Sequence, residues 1–331
     1  MRIKVGTFNL LNLVQPGAPY YNKKPYRTEE FAEKSAWITR QLRRMDADFV
    51  GFQEVFHESA LQMVIKASEM FDGGTVGAPG ADGSGPRVGF ATTLKVVGEP
   101  RLYDVFPDNL DFTIEVEETG EEISIPIRKF SRPVLDVVVE LGNGHTAAIF
   151  IAHLKSKRPL VDPDKRHDPI ERAIGKARSL IVRASEAAAF RSLLIREMQD
   201  TRRPVIVLGD LNDAVDAVTT EIVAGTPPWR RMPLEQKKPL WDVLLYSTYD
   251  IQARNRYQNV SYSHIHNGHY DMLDHILVSE EFYKYNRSGI GEVEYLHFFN
   301  DHLVDRTLSN ERRSRVESDH GQVVVTIKLK D

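Results

Sequence analysis

The sequence predicts an α+β protein built in layers. Strand-like apolar runs recur along the chain. Two of them, 134–141 and 145–154, are joined by Gly142-Asn143-Gly144, a hairpin turn. Other connections are long enough to hold helices. Hairpins mixed with helix-length connections exclude a purely parallel sheet.

Each element has a local reason. Residues 2–8 alternate polar and apolar, which is a strand pattern. Thr28 with Glu29 and Glu30 reads as a helix cap and acidic first turn; Phe31, Ile38, Leu42 and Met45 then mark one helical face. Residues 48–55 form a short apolar strand ending in Gln53-Glu54, and 58–71 suit a helix. The stretch 72–89 is rich in glycine and proline and reads as loop. Asp168-Pro169-Ile170-Glu171 combines a cap, a proline at the first helical position and a glutamate at the third, opening a helix to about Met198. Strands are expected from Pro204 to Leu208, Leu273 to Val278 and Gln322 to Leu329.

Composition narrows the function. The chain has 331 residues, no cysteine, 43 Lys+Arg against 47 Asp+Glu, and 41% hydrophobic residues. That length fits one large domain or two small ones, and the apolar share can bury a core. Absence of cysteine excludes disulfides, thiolate metal sites and a cysteine nucleophile. No apolar stretch reaches a membrane-spanning length, and no leader pattern opens the chain, so the expectation is a cytoplasmic protein with no membrane span. A secreted protein whose leader was removed is the alternative. Nothing indicates an obligate protein partner. Net charge is −4, yet residues 155–203 carry 13 Lys/Arg against 7 Asp/Glu. This segment is either a phosphate-binding surface or a solvated helix face.

Polar residues gather where the apolar strands stop. Asn9 follows the first, Glu54 ends the second, and His153 ends the hairpin's return strand. Asp210, Asn212 and Asp213 follow the 204–208 strand; Asp274 and His275 lie inside another; Asp319 and His320 precede the last. If these strands share one sheet edge, several carboxylates and two imidazoles converge on one pocket. Taken singly, each has a plainer reading: Glu54 as a surface turn residue, Asn9 and Asn212 as turn formers, His153 as a satisfied core histidine, Asp319-His320 as a turn. Asp274 in an apolar strand needs a partner, which an imidazolium or a metal would supply. Carboxylate and amide oxygens without cysteine suit magnesium or manganese. His264, His266 and His269 are either a transition-metal cluster or a solvated loop.

The order of these pieces is informative. Thr7-Phe8-Asn9-Leu10, Gln53-Glu54, Ala152-His153-Leu154, Gly209-Asp210-Leu211-Asn212, Leu273-Asp274-His275-Ile276 and Ser318-Asp319-His320 span nearly the whole chain. Together they resemble the endonuclease/exonuclease/phosphatase superfamily. The string Tyr262-Ser263, the Asn267-Gly268 turn and Leu273-Asp274-His275 look most like bacterial extracellular-nuclease-type members.

The resemblance implies a four-layer α/β/β/α sandwich of two mixed, mainly antiparallel sheets, with residues 1–331 as a single catalytic domain. It implies a divalent-metal-dependent phosphodiesterase, a nuclease with nucleic acid as substrate; the alternative is a hydrolase of small or lipid phosphoesters. Glu54, with Asn9 and Asp319, would hold Mg2+ or Mn2+. Asp210, with Asn212 beside it, would position or deprotonate the attacking water. His153 and His320 would reach phosphate oxygens, and Asp274 would hydrogen-bond His320. Lys155, Lys157 and Arg132 are placed to meet substrate phosphate. Arg178 or Arg183 would face the site or form surface ion pairs. The acidic 102–130 insert would be a lid or an edge, and the basic 301–317 loop, with Arg306, Arg312, Arg313 and Arg315, would grip a backbone or set specificity for a smaller diester.

Overall fold

A computed structural model describes residues 1–108, 110–115, 119, 122–142, 144–229, 231–255, 261–266, 269–305 and 314–330. In chain order its elements begin β1 (Arg2–Leu13), α1 (Thr28–Met45), β2 (Phe49–His57), α2 (Glu58–Ser68), β3 (Thr75–Gly77), β4 (Asp82–Thr92) and β5 (Arg101–Val105). Next come β6 (Thr113–Glu115), β7 (Glu122–Ser124), β8 (Lys129–Glu140), β9 (Thr146–His153), α3 (Pro169–Met198), β10 (Val205–Asp210), α4 (Val218–Ala224) and α5 (Leu234–Asp242). The chain continues with β11 (Tyr246–Ser247), α6 (Thr248–Asn255), β12 (His264–His266), β13 (His269–Asp271), β14 (Asp274–Val278), β15 (Gly291–Phe299) and β16 (Gln322–Leu329).

Two six-stranded mixed sheets face each other. One has the order β15-β16-β1-β2-β4-β3 and the other β11-β14-β10-β9-β8-β5. Strands that are apolar on both faces explain the layering. In β9, Ile149 and Ile151 meet Val5, Phe49, Val323 and Val325 of the facing sheet. The alternate residues Ala148, Phe150 and Ala152 pack on Phe190 and Leu194 of α3. On the far side, Trp37, Ile38 and Leu42 of α1 and Leu61 and Val64 of α2 cover Phe8, Val50 and Phe52. The expected four-layer sandwich is therefore the observed one, with burial of each large core side chain contributing roughly 1.5–3 kcal/mol.

Three local expectations change. Thr28 is the first helical residue, and Arg27 is the cap, its N–H donating to Glu30 Oε2 at 3.0 Å. The helix after residue 58 stops at Ser68, where Glu69 turns left-handed. Within the glycine-rich stretch 72–89 lie β3 and most of β4 rather than loop alone. Close packing is the reason: a Cβ at Gly89 would sit 3.0 Å from Ala78 Cβ and from the Gly77 carbonyl oxygen. Here glycine permits strands to approach instead of breaking them.

The Asp168 cap is observed as read, its Oδ1 accepting the Ile170 N–H at 2.8 Å. The β8–β9 hairpin also forms, Leu141 N–H donating to the His145 carbonyl at 2.8 Å, while Asn143 of its turn lies outside the described residues. The 102–130 insert places β5 at a sheet edge and β6 and β7 in a separate two-stranded ribbon. Among the described residues, no helix is long and apolar enough to cross a membrane.

Candidate active site

Strand register builds the site. β10 runs parallel to β9 and antiparallel to β14, so Asp210 is the register partner of both His153 and Asp274. On each strand the neighbours two residues back or forward, Leu208, Ile151 and Ile276, fill the space between the sheets. The period of two therefore carries the three polar residues onto that same inner face, where the apolar rows end. The convergence uses both sheets, not one sheet edge: Asn9 arrives from β1 and His320 from the residue pair before β16.

Asp210 is the centre. Asn9 Nδ2 donates to its Oδ2 at 3.2 Å, His153 Nε2 lies 3.5 Å from that oxygen and His320 Nε2 3.8 Å. The Asn212 N–H donates to Oδ1 at 2.9 Å, and Asn212 Nδ2 donates to the Leu154 carbonyl at 3.0 Å. Asp274 Oδ2 accepts from His320 Nδ1 at 2.8 Å. Its other oxygen is buried with no hydrogen-bond partner, and so is His153 Nδ1.

Burial sets the charge states. It pushes the Asp210 carboxyl up, against the pull of the His320 charge. It holds His153 well below the ordinary imidazole value, with the Arg132 charge acting in the same direction. Burial also works against the His320 imidazolium, but the carboxylates of Asp274 and Asp210 outweigh it and raise His320 well above that value. The two histidines are thus driven apart, His153 neutral and His320 charged.

Glu54 sits on a bulge of β2 at φ +61°, and its Oε2 accepts the Asn12 N–H at 2.9 Å. A left-handed glutamate costs on the order of 1 kcal/mol, held by the surrounding pairing. Glu54 and Asp319 both act electrostatically on the fully buried Lys34 ammonium, which places them beside the same group. Carboxylate and amide oxygens of Glu54, Asn9 and Asp319, with no thiol in the chain, are the donor type a hard divalent ion takes, and Asn9 Oδ1 also accepts the Leu11 N–H at 3.0 Å. Among the described residues, ligand atoms of Asp210, Asp274 and His320 lie within 4.8 Å of one another and could also hold an ion. The His320–Asp274 hydrogen bond already occupies one ring nitrogen, so this trio is first a hydrogen-bonded pair beside a carboxylate.

The other expected contacts divide. Arg132 Nη1 donates to the Leu154 carbonyl at 3.0 Å, and Lys155 Nζ to the Ser156 carbonyl at 3.1 Å, both beside the His153 strand end. Lys157 and Arg183 pair with Asp213, each at 3.1 Å, and Arg178 lies 3.9 Å from Glu171. His264 and His266 form β12, where His264 bridges to His320 with ring centroids 4.8 Å apart; His269 is the register partner of His266. Arg306, Arg312, Arg313, Asn267 and Gly268 lie outside the described residues. Arg315 is turned to Glu30, 2.9 Å away.

Sequence reasoning missed several supports. Lys34 Nζ donates to the carbonyls of Leu11 and Arg315, both at 3.1 Å. Its signal was present: it lies three residues after Phe31 and four before Ile38, on the apolar face of α1. Glu186 accepts the N–H groups of Ser131 and Lys155, each at 2.7 Å, and Ser263 Oγ accepts those of Leu273 and Asp274 at 3.0 and 3.1 Å. Tyr21 is exposed at φ +47°, edge-on to Phe56, with Glu54, Arg132 and Arg158 near enough to act on its hydroxyl. A bulky residue at positive φ is unusual, and nothing in the local sequence announces it.

A family model described as "Endonuclease/Exonuclease/phosphatase family" matches residues 6–320. A search of curated proteins returned no match. Among solved structures, Danio rerio TDP2 complexed with single-strand DNA product superposes with a TM-score of 0.55 at 13% identity, covering 99% of each chain. The human Nocturnin catalytic domain with bound sulfate gives 0.55 at 16%, covering 99% of this chain and 95% of that one. A Bacteroides thetaiotaomicron mannosyl-6-phosphatase gives 0.52 at 15%, covering 98% and 99%. At such identities the likeness is one of fold.

Proposed function

The chain belongs to the endonuclease/exonuclease/phosphatase family, whose members are metal-dependent phosphoesterases, and from that premise we propose that it is a nuclease acting as one catalytic domain over residues 1–331. The reaction is in-line attack of water on a phosphodiester. The observation that carries this reading is the convergence on Asp210 Oδ2 of Asn9, His153 and His320, with Asp274 behind His320. Glu54, Asn9 and Asp319 are the proposed holders of Mg2+ or Mn2+. That ion, when bound, neutralises phosphate charge and stabilises the leaving oxygen.

The chain's own groups do the rest. Asp210 orients the water and takes its proton as oxygen bonds to phosphorus; burial raises its basicity toward what a general base near neutrality needs. Asn212 fixes that carboxylate through its backbone N–H. His320 meets the developing phosphate charge as a cation, and neutral His153 as a hydrogen-bond donor. Lys155 and Arg132 lie beside His153 for the same phosphate. The acidic 102–130 insert favours a second reading, a small phosphoester in place of a polymer. We place the enzyme in the cytoplasm.

The test is hydrolysis of plasmid DNA, total RNA and bis-p-nitrophenyl phosphate, each with magnesium, manganese or EDTA, with Asp210→Ala as control. Metal-dependent nicking that vanishes in the variant is expected. Diester hydrolysis with nucleic acids untouched would select the second reading, and no metal-dependent hydrolysis of anything would overturn both.

A further inference from the structure

The segment after His153 forms a strap along α3. Its backbone is pinned turn by turn: Lys155 O accepts from Arg183 Nη1 at 3.2 Å, Arg158 O from Ser179 Oγ at 2.6 Å, and Leu160 N–H donates to Gly175 O at 3.0 Å. A Cβ at Gly175 would lie 2.3 Å from Val161 Cγ2, so the strap is seated as closely as a backbone allows. Between strap and helix lies a cavity lined by Lys155, Arg158, Arg166 and Arg172 together with apolar residues of the strap, and no carboxylate lines it.

Cations nearby are paired. Lys157 and Arg183 pair with Asp213, and Lys165 and Arg178 with Glu171. Among the described residues, none of the four lining cations has an ion-pair partner. Four like charges round one cavity repel each other, and an anion between them removes that repulsion. Arginines match phosphate oxygens with paired donors. The cavity also adjoins the proposed active site. Lys155 lies two residues beyond His153, where the charges of Arg132, Arg183 and Arg158 act on it against that of Glu186, whose carboxylate accepts the Lys155 backbone N–H.

We propose that this cavity is a subsite for a second phosphate carried by the substrate, so that the enzyme prefers phosphoesters with a neighbouring phosphate. The inference rests on the phosphoesterase reading above. The second phosphate is either the next one along a nucleotide strand or the other phosphate of a small bisphosphorylated molecule.

The experiment compares substrate pairs in wild type and in Arg158→Ala/Arg166→Ala, with Arg158→Glu as a second variant. One pair is 5′-phosphorylated thymidylyl-thymidine against the same dinucleotide without that phosphate; the other is glucose 1,6-bisphosphate against glucose 6-phosphate. Wild type should favour the doubly phosphorylated member of one pair by ten-fold or more in kcat/KM, chiefly through KM, and the variants should erase that ratio. The pair showing the preference identifies the source. Independently, inorganic pyrophosphate is titrated calorimetrically into protein in EDTA, and both variants should bind it at least ten-fold more weakly. Hydrolysis by wild type with a preference in neither pair, or a ratio and pyrophosphate affinity equal in wild type and variants, would overturn the subsite. Loss of pyrophosphate binding in the variants with no hydrolysis by wild type would keep the subsite and reject the phosphoesterase reading.

Discussion

Asp274 and His320 are joined by a 2.8 Å hydrogen bond between buried atoms, although 46 residues separate them. The pair keeps the imidazole charged against its burial. A histidine raised in the folded state contributes stability that is complete below its unfolded value, about 6.5, and fades as pH rises through the folded one.

Asp274→Asn should therefore lower the His320 pKa and move the basic limb of the kcat/KM profile down by more than one pH unit. Activity at pH 8 should fall about ten-fold or more, while activity at low pH is less affected. A pH–rate profile checks this; an unmoved basic limb would remove His320 from its charged role. The stability gap between wild type and variant should also narrow as pH rises.

Asp210 is a buried carboxyl pushed above its ordinary value, so its charge is retained at a cost to folding. Asp210→Asn should cut turnover by ~10²-fold or more. Its thermal midpoint should equal or exceed that of wild type, because function and stability oppose each other at such a site. Glu54→Ala and His320→Ala should lose activity comparably. Near-wild-type rates in all three would sink the assignment.

Gly209 has φ +138°, and a Cβ there would lie 1.9 Å from the Ala152 carbonyl oxygen. The clash is with backbone of the adjacent strand, which cannot step aside. Gly209→Ala should destabilise by more than about 3 kcal/mol, whereas Gly144→Ala, at φ +83° with nothing within 4 Å, should cost only about 1 kcal/mol. Urea unfolding of both variants makes the comparison; equal losses would contradict the packing argument.

Burial pulls the Lys34 ammonium down to about 7, against the attraction of Glu54 and Asp319. Between that value and 10.5 the unfolded chain binds a proton that the folded chain has lost, so this group makes stability rise with pH. Lys34→Met removes the titration and leaves two carbonyls without their donor. The variant should lose about 1–3 kcal/mol. The wild-type advantage should grow by about 2 kcal/mol from pH 7 to pH 9. Denaturant melts at the two pH values decide it, and a constant difference would show that Lys34 is charged throughout.

Much of this was legible in the residues. Apolar runs located the ends of β9, β10 and β16 within two residues, while β1 extends five residues past the expected 2–8, and the Asp168 capping pattern placed the start of α3. Glycine misled at 72–89, because its role there is to let β3 and β4 crowd together, which only their pairing shows. Lys157 read as a candidate phosphate group and Arg183 as a site residue or a surface ion pair; both pair with the one carboxylate of Asp213, Arg183 while buried, and only folding reveals that pairing.

Asn9 and Glu54, read as following or ending their strands, lie inside β1 and β2. By itself, then, the sequence determined most of the strands, their apolar faces and the polar residues His153 and Asp210 at two of their ends. Those follow from local preference and from a side-chain period of two, which any extended segment carries with it. Tertiary structure alone decided that His153, Asp210 and Asp274 share one register row, and that Asn9 and His320 meet it from the opposite sheet. It also decided which cations pair with a carboxylate and which, among the described residues, gather without one around the α3 strap. Register and charge states depend on which distant strand lies alongside and how much water is excluded, and neither is written in the local order of residues.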